Sequence, residues 1–104
     1  MEEALKVNNV LKTLEAPSNG IDDEGAKALA EGLFINASVT ELNLNDNNIG
    51  AEGAKALAAS LAANSFRMNS SVTRLDVRAN WLDEVGRASL REAIEGRSGF
   101  LLLL

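Results

Sequence analysis

The side chains that most enzymes use as nucleophiles or general bases are missing from this chain. Its 104 residues include no His, Cys or Tyr, so the usual nucleophile–base pairs and His/Cys metal sites cannot form. Carboxylates are the remaining candidates, and Asp22, Asp23 and Glu24 stand next to one another. Such a cluster could hold a metal ion or work as an acid–base pair. Which role these three residues have depends on the helix, strand or turn in which they lie.

A second run of oxygen-bearing side chains, Asn45-Asp46-Asn47-Asn48, has the composition of a calcium-binding loop. Counted from Asp46, the twelfth position is Leu57, where such a loop needs a bidentate Glu. Asn and Asp are also turn formers, because they bond their own backbone and tolerate left-handed conformations. The run is therefore predicted to be a turn between two elements.

The turn separates a strand pattern from a helix pattern. Before it, Leu42 and Leu44 alternate with polar residues, as in a half-buried strand. After it, Ala54, Leu57 and Leu61 recur with the spacing of one helix face. Strand, turn and helix together make one unit of the chain.

This unit recurs at a nearly constant interval. Aligning Gly25 with Gly53 gives a period of 28 residues, and a third copy shifted by 33 residues brings Gly86 into register. The additional residues form an insertion at 65–69. A period of 28 lies within the range of about 20–29 residues that leucine-rich repeats show. The expected organisation is one domain with a partial repeat helix at 1–9, repeats at 10–38, 39–71 and 72–99, and a closing strand at 100–104.

The repeat offers a structural explanation for the carboxylates. Asp22, Gly50 and Asp83 stand just before the three predicted helices, and all are residue types favoured at an N-cap. Acids such as Asp23 and Glu52 follow in the first helical turns, where they oppose the positive end of the helix dipole. We therefore expect no catalysis, no metal and no cofactor. The alternative is an enzyme that uses these carboxylates for catalysis, and capping with dipole stabilisation explains the same residues without it.

Residues 39–64 read VTELNLNDNNIGAEGAKALAASLAAN and resemble the long repeat of ribonuclease-inhibitor-like leucine-rich repeat proteins, which NOD-like receptors also contain. The resemblance implies an α/β fold: a short right-handed β-α solenoid of about three repeats, with a parallel sheet on the concave face and helices on the convex face. In that family one asparagine of each turn points inward and bonds the neighbouring turn, and the matching positions are Asn19, Asn47 and Asn80. Ala16 departs from the pattern, because a leucine is expected there.

The resemblance also implies a non-catalytic protein–protein interaction module that binds another protein through the concave sheet face. The strand positions that would line this face are Thr13, Glu15, Glu41, Asn43, Asn45, Arg74, Asp76 and Arg78. Glu41 and Arg74 could pair with each other across neighbouring strands. Trp81 in the last turn is a further contact candidate or a lid over the last repeat. Phe66 and Met68 are contact candidates in the insertion, which could equally be an enlarged loop.

The C-terminal part is expected to close the array. A last helix is predicted from Glu84 to Gly96, with Arg87 and Arg91 facing water where earlier helices carry alanine. Extending the 28-residue period turns Phe100 and Leu103 inward and leaves Leu101, Leu102 and Leu104 without an interior. This tail is either a closing strand or, as the alternative function, an apolar edge through which a terminal array fragment forms homodimers.

Composition and charge favour a protein partner over other classes. The net charge is −5 and the sequence pI is about 4.6, which argues against nucleic acid because phosphate binding needs clustered positive charge. The sequence has no apolar run of transmembrane length (about 18 residues or more) and no signal peptide. With no Cys there is no disulfide framework. We therefore expect no membrane partner and an intracellular, cytoplasmic location.

Overall fold

A computed structural model describes residues 13–35, 38–62 and 71–104 of the chain, and for Phe34 and Ile35 only the backbone. Strands and helices alternate within these ranges. The strands are β1 Thr13–Glu15, β2 Glu41–Asn43, β3 Arg74–Asp76 and β4 Leu101–Leu103, and the helices are α1 Asp23–Ile35, α2 Ala51–Leu61 and α3 Glu84–Ala93. The predicted partial helix at 1–9 and the insertion at 65–69, with Phe66 and Met68, lie outside the described residues.

The four strands form one parallel sheet in the order of the chain, β1-β2-β3-β4. Leu14, Leu42, Leu75 and Leu102 are aligned with one another across the sheet. Because side chains alternate along a strand, this row turns towards the helices and the residues on either side of it turn away. The predicted α/β solenoid of leucine-rich repeats is confirmed.

The core lies between the sheet and the helices and is almost entirely aliphatic. Its largest fully buried side chains are Leu29, Leu33, Val39, Leu42, Leu44, Ile49, Leu57, Leu61, Val72, Leu75 and Leu90. Each such side chain contributes about 1.5–3 kcal/mol relative to an exposed one. Small residues let the helices approach: Ala26 and Ala54 are fully buried, and a Cβ on Gly53 would lie 2.9 Å from the Ala26 Cβ and 2.8 Å from the Asp23 Oδ1.

The register of β4 corrects one prediction. Leu102, not Leu103, is paired with Leu75, so the period here is one residue shorter than expected. Leu102 and Leu104 pack against the core, whereas Leu101 and Leu103 turn to the other face. A shift of one residue exchanges the two faces of a strand. The four consecutive leucines contain no polar residue that could have indicated which face each one takes.

The end of α3 explains the shorter period. The helix ends at Ala93, three residues before the predicted end at Gly96, and the chain returns through a turn in which Gly99 has a φ of +81°. In this segment the Arg97 guanidinium donates to the carbonyl oxygens of Leu61 (3.3 Å) and Val72 (2.6 Å). Arg97 thereby ties the turn after α3 to the end of α2 and to the segment before β3.

Candidate functional site

The three adjacent carboxylates do not converge on a common point. Asp22 accepts a hydrogen bond from the Gly25 N–H of its own helix (3.0 Å), and Glu24 lies 3.4 Å from the Lys27 ammonium on the surface. Asp23 turns to the next repeat, as described below. Within the described parts of the chain, no group of three or more acidic, His or Cys residues could hold a metal ion.

Asp23 caps the neighbouring helix, α2. Its Oδ1 accepts hydrogen bonds from the N–H groups of Gly50 (2.6 Å) and Gly53 (3.0 Å). Gly50 is the N-cap residue of α2 and has no side chain to provide this bond. In α3 the N-cap is Asp83, which bonds the Gly86 N–H itself. One repeat thus supplies the cap that the next repeat lacks.

The asparagine of each turn links neighbouring repeats. The buried Asn47 accepts from the N–H groups of Asn19 and Ile21, at 3.0 and 2.9 Å, and donates to the Ala16 carbonyl at 3.0 Å. Asn80 repeats the pattern one turn later, accepting from the Ile49 N–H at 2.9 Å and donating to the Leu44 carbonyl at 2.9 Å. The Asn19 amide donates to Pro17 in its own turn, and the turn that would precede it lies outside the described residues.

The sheet face that points away from the helices, here called the open face, gathers every strand residue predicted for the partner-binding surface. One row across the strands is Thr13, Glu41, Arg74 and Leu101, and the next is Glu15, Asn43, Asp76 and Leu103. Asn45 and Arg78 follow in the same alternation. The open face therefore changes from acidic at β1 and β2 to apolar at β4. The two leucines were not predicted to lie here.

A buried carboxylate anchors the centre of the open face. The Asp76 side chain is only 2% exposed and forms two parallel hydrogen bonds with the Arg78 guanidinium, at 3.0 and 2.8 Å. Asn45 donates a further bond at 3.3 Å. The hydrogen bonds from Arg78 hold the pKa of Asp76 below its usual value, although burial acts in the opposite direction. The same pair raises the pKa of Arg78, which stays fixed while half-exposed.

The other charged residues on this face are less constrained. Glu15 accepts a hydrogen bond from the Asn43 amide at 2.7 Å. Glu41 and Arg74 are direct neighbours in the register of β2 and β3, yet the described part of the chain contains no ion pair between them. Each can therefore turn its charge towards a partner without first breaking a salt bridge.

Trp81 lies at the rim of the sheet, where β3 leads into α3. Its side chain is 73% exposed, so it covers little of the last repeat. Its backbone N–H donates to the Ile49 carbonyl (2.9 Å), and its indole N–H donates to the Asn48 Oδ1 (3.0 Å). Trp81 is thus held at two points, one of them on the ring, while the ring stays exposed.

On the opposite side of the molecule, grooves lie between the described helices. A groove of about 400 Å³ between α1 and α2 is lined by Ala30, Ala56 and Ala59 with Lys and Glu at its rim. A second, of about 320 Å³, lies between α2 and α3 and is also lined largely by alanine. Both lack the converging polar groups of a small-molecule site. Among the described residues, no helix is long and apolar enough to cross a membrane.

Comparison with known proteins agrees with this architecture. A chain titled Leiomodin-1 Actin-Binding Site 2 superimposes with a TM-score of 0.81 at 26% sequence identity. The match covers 98% of this chain and 57% of the leiomodin chain, so this chain spans little more than half of that one. No curated protein sequence matches the chain.

A family model described as leucine-rich repeat matches residues 7–30 and 36–58. These segments contain the strand, the turn and the first eight helical residues of each of the first two repeats. Assignment to the ribonuclease-inhibitor-like type stays our prediction. The two matched segments are leucine-rich repeats, and with the parallel sheet that they build the chain has the leucine-rich repeat fold.

Proposed function

We propose that this chain is a non-catalytic protein-binding module whose partner docks on the open face of the sheet. The family and the leiomodin chain, whose title names an actin-binding site, support a protein as the ligand. That the chain avoids nucleic acid and membranes and works in the cytoplasm stays a prediction from its composition. Phe66 and Met68 in the insertion belong to the proposal as contact residues predicted from the sequence.

The observation that carries the proposal is the mixed character of the open face. Arg78 is held by Asp76 in one orientation, Glu41 and Arg74 form no ion pair with another described residue, and Leu101 is 49% exposed. A partner can therefore obtain fixed hydrogen bonds, charge pairing and apolar contact on one surface. Four strands spaced at about 4.8 Å give a narrow surface, and a standard interface covers about 800 Å² per partner. We expect modest affinity unless neighbouring surfaces, such as Trp81, contribute.

The test compares two charge-swap variants of the immobilised chain in affinity capture. The double variant Glu41→Lys/Arg74→Glu reverses charges on the open face, and the matched control Lys27→Glu/Glu31→Lys does the same on α1. Proteins that depend on the open face are lost from the first variant and kept by the control, as measured by quantitative mass spectrometry. Equal capture by both variants would contradict the proposal. Actin is the first purified protein to test, because of the leiomodin title.

The alternative is self-association through β4. Leu101 and Leu103 direct their backbone groups towards β3, as shown by the bonds from the Leu101 N–H to Thr73 and from the Val77 N–H to Leu103. In a parallel ladder, alternate residues direct their backbone N–H and C=O groups to opposite sides. Those of Leu102 and Leu104 therefore point to the outer edge of β4, where a second strand could add. The side chains of Leu102 and Leu104 pack on the core. Only their backbone groups could therefore take part in the predicted dimer contact.

Molecular mass across a concentration series tests this alternative on the wild type and on Leu101→Lys. This variant keeps the core intact and places a charge beside the outer edge. A wild-type dimer that becomes a folded monomer in the variant would support association through β4. Monomers in both samples would remove the alternative and leave the open face as the binding surface.

A further inference from the structure

Trp81 occupies a position at which the earlier repeats have smaller residues. The equivalent residues are Gly20 and Asn48, and the backbone bond is repeated: the Asn48 N–H donates to Ile21 at 2.8 Å as the Trp81 N–H donates to Ile49 at 2.9 Å. The third turn thus carries a large ring on an otherwise conventional backbone. The ring leans back to Asn48, 33 residues earlier, by a hydrogen bond from its indole N–H.

This hydrogen bond decides what the ring can offer a ligand. The only donor of the indole is already used by Asn48, so a partner cannot gain that bond. The exposed π face remains, and it attracts cations through the quadrupole of the ring. The ring is also oriented before a partner arrives, which reduces the entropy cost of binding.

Three carboxylates stand near Trp81, or near its hydrogen-bond partner Asn48, in the sequence. Asp83 and Glu84 follow Trp81 by two and three residues, and Asp46 precedes Asn48 by two. All three are exposed, and the Glu84 side chain is 87% exposed. Asp83 and Glu84 also offset the positive end of the α3 dipole, which would otherwise repel a cation.

The nearby cations offset these charges only in part. Arg78 is engaged by Asp76 in two hydrogen bonds, and Arg87 forms a long surface salt bridge of 3.9 Å with Glu84, whose side chain stays 87% exposed. Val85, 56% exposed, follows in the first turn of α3 and adds apolar surface. The stem of a long basic side chain can pack on such a surface while its head group remains polar.

From these observations we propose that Trp81, with Asp46, Asp83 and Glu84, binds an arginine or lysine side chain of a basic segment in a partner protein. The cation stacks on the indole, and the carboxylates attract the segment and repel acidic ligands. The proposal deepens the proposed function by adding a second contact at the rim of the open face. It depends on different residues, so the two can fail separately.

Trp81 is the only Trp in the chain, and there is no Tyr, so the intrinsic fluorescence reports on this site directly. The first experiment compares quenching by caesium and iodide at equal ionic strength, with free N-acetyltryptophanamide as the reference. The carboxylates should make caesium the better quencher and iodide the poorer one, relative to the reference. Glu84→Gln should reduce this difference. Iodide quenching as strong as in the reference would overturn the proposal.

The second experiment titrates the full chain with a hexa-arginine peptide and, as a control, a hexaglutamate peptide of the same length. Hexa-arginine should change the Trp81 fluorescence saturably, and hexaglutamate should not. Anisotropy of a labelled hexa-arginine peptide then compares variants. Trp81→Leu should weaken binding by about two- to fivefold, as expected for an exposed cation–π contact, while Trp81→Phe retains part of the effect.

Two controls separate this site from a general attraction to an acidic protein. The open-face variant Glu41→Lys/Arg74→Glu has no net charge change and should bind the peptide as the wild type does. Asn48→Ala, which releases the indole, should lower the steady-state anisotropy of Trp81 and weaken peptide binding. Unchanged peptide affinity in both Trp81→Leu and Glu84→Gln would overturn the inference and leave the open-face proposal untouched. Circular dichroism confirms that each variant is folded.

Discussion

At the scale of single residues, a buried carboxylate makes the centre of the candidate binding surface rigid. Asp76 is almost inaccessible, and its two oxygens hold the half-exposed Arg78 in place. A planar guanidinium in a bidentate pair has a defined direction. Arg78 can therefore present its remaining donors to a partner without first losing conformational freedom.

The Asp76 pair predicts a pH-dependent contribution to stability. Because the folded-state pKa of Asp76 lies below its ordinary value of 3.8, the contribution is fully present above the unfolded pKa and is lost as the pH falls through the folded pKa. Asp76→Asn should lower the free energy of unfolding by about 1–2 kcal/mol near pH 7. Urea unfolding from pH 7 to pH 2 should show the two proteins converging at the acid end. A difference that is independent of pH would contradict this.

A backbone feature gives a second prediction at this scale. Ser18, Asp46 and Ala79 occupy equivalent turn positions with φ values of 56°, 54° and 57°. A left-handed conformation costs an alanine about 1–2 kcal/mol, of which glycine's own entropy cost offsets about half. Ala79→Gly should therefore raise the free energy of unfolding by about 0.5–1 kcal/mol. The exposed helical Ala59→Gly is the control, and it should lower that energy by about 1 kcal/mol.

At the scale of elements, the repeats share their caps and turns. Asp23 serves the N-terminus of α2, and the side chains of Asn47 and Asn80 bond to the preceding turns. The N-terminus of α2 and these two turns are thus completed by groups about one repeat away, whereas α1 and α3 are capped by their own Asp22 and Asp83. This is the expected behaviour of a solenoid, in which each repeat contacts its neighbours and gains stability from the interface.

The shared cap is tested by Asp23→Ala. Loss of the bonds to Gly50 and Gly53 should lower the free energy of unfolding by about 1–2 kcal/mol. The neighbouring Glu24→Ala is the control, because that carboxylate forms only a surface pair with Lys27 and should change the energy by less than about 0.5 kcal/mol. Equal effects of the two variants in thermal or urea unfolding would show that Asp23 acts only through the dipole of its own helix.

At the scale of the whole molecule, β4 covers one end of the core and extends the open face with leucines. Leu102 and Leu104 pack inward, whereas Leu101 is half-exposed. A single strand therefore completes the core and shapes the candidate binding surface. Removing the whole tail would affect both roles together, so single substitutions are more informative than truncation.

Two substitutions in β4 distinguish these roles. Leu102→Lys removes apolar contact opposite Leu75 and places a charge against the core, so it should lower the free energy of unfolding by about 1–3 kcal/mol. Leu101→Lys, one residue earlier, should stay within about 0.5 kcal/mol of the wild type. Urea unfolding of both variants provides the measurement. A larger loss from Leu101→Lys would contradict the register in which Leu102 pairs with Leu75.

Much of the architecture follows from the sequence because its causes are local. The alternation of Leu42 and Leu44 and the helical spacing of Leu57 and Leu61 are periods set by the backbone itself. Repetition of these patterns predicted the strands and the helices, and the resemblance to leucine-rich repeats implied the parallel sheet and the set of residues on its open face, from Thr13 to Arg78. The left-handed Ala79 left no such signal, since alanine gives no indication of a positive φ.

Tertiary structure decided which groups meet between repeats. Asp23 beside Gly50, Asn48 beside Trp81, and Arg97 beside Leu61 are pairs separated by 27, 33 and 36 residues. Their distances depend on how the repeats stack, which a single repeat does not encode. The face taken by each leucine of β4 depended on the length of the turn after α3, because four identical apolar residues contain no alternation. The hydrophobic periodicity is present within the sequence of each repeat, but the contacts between repeats form only when the repeats stack in the folded chain.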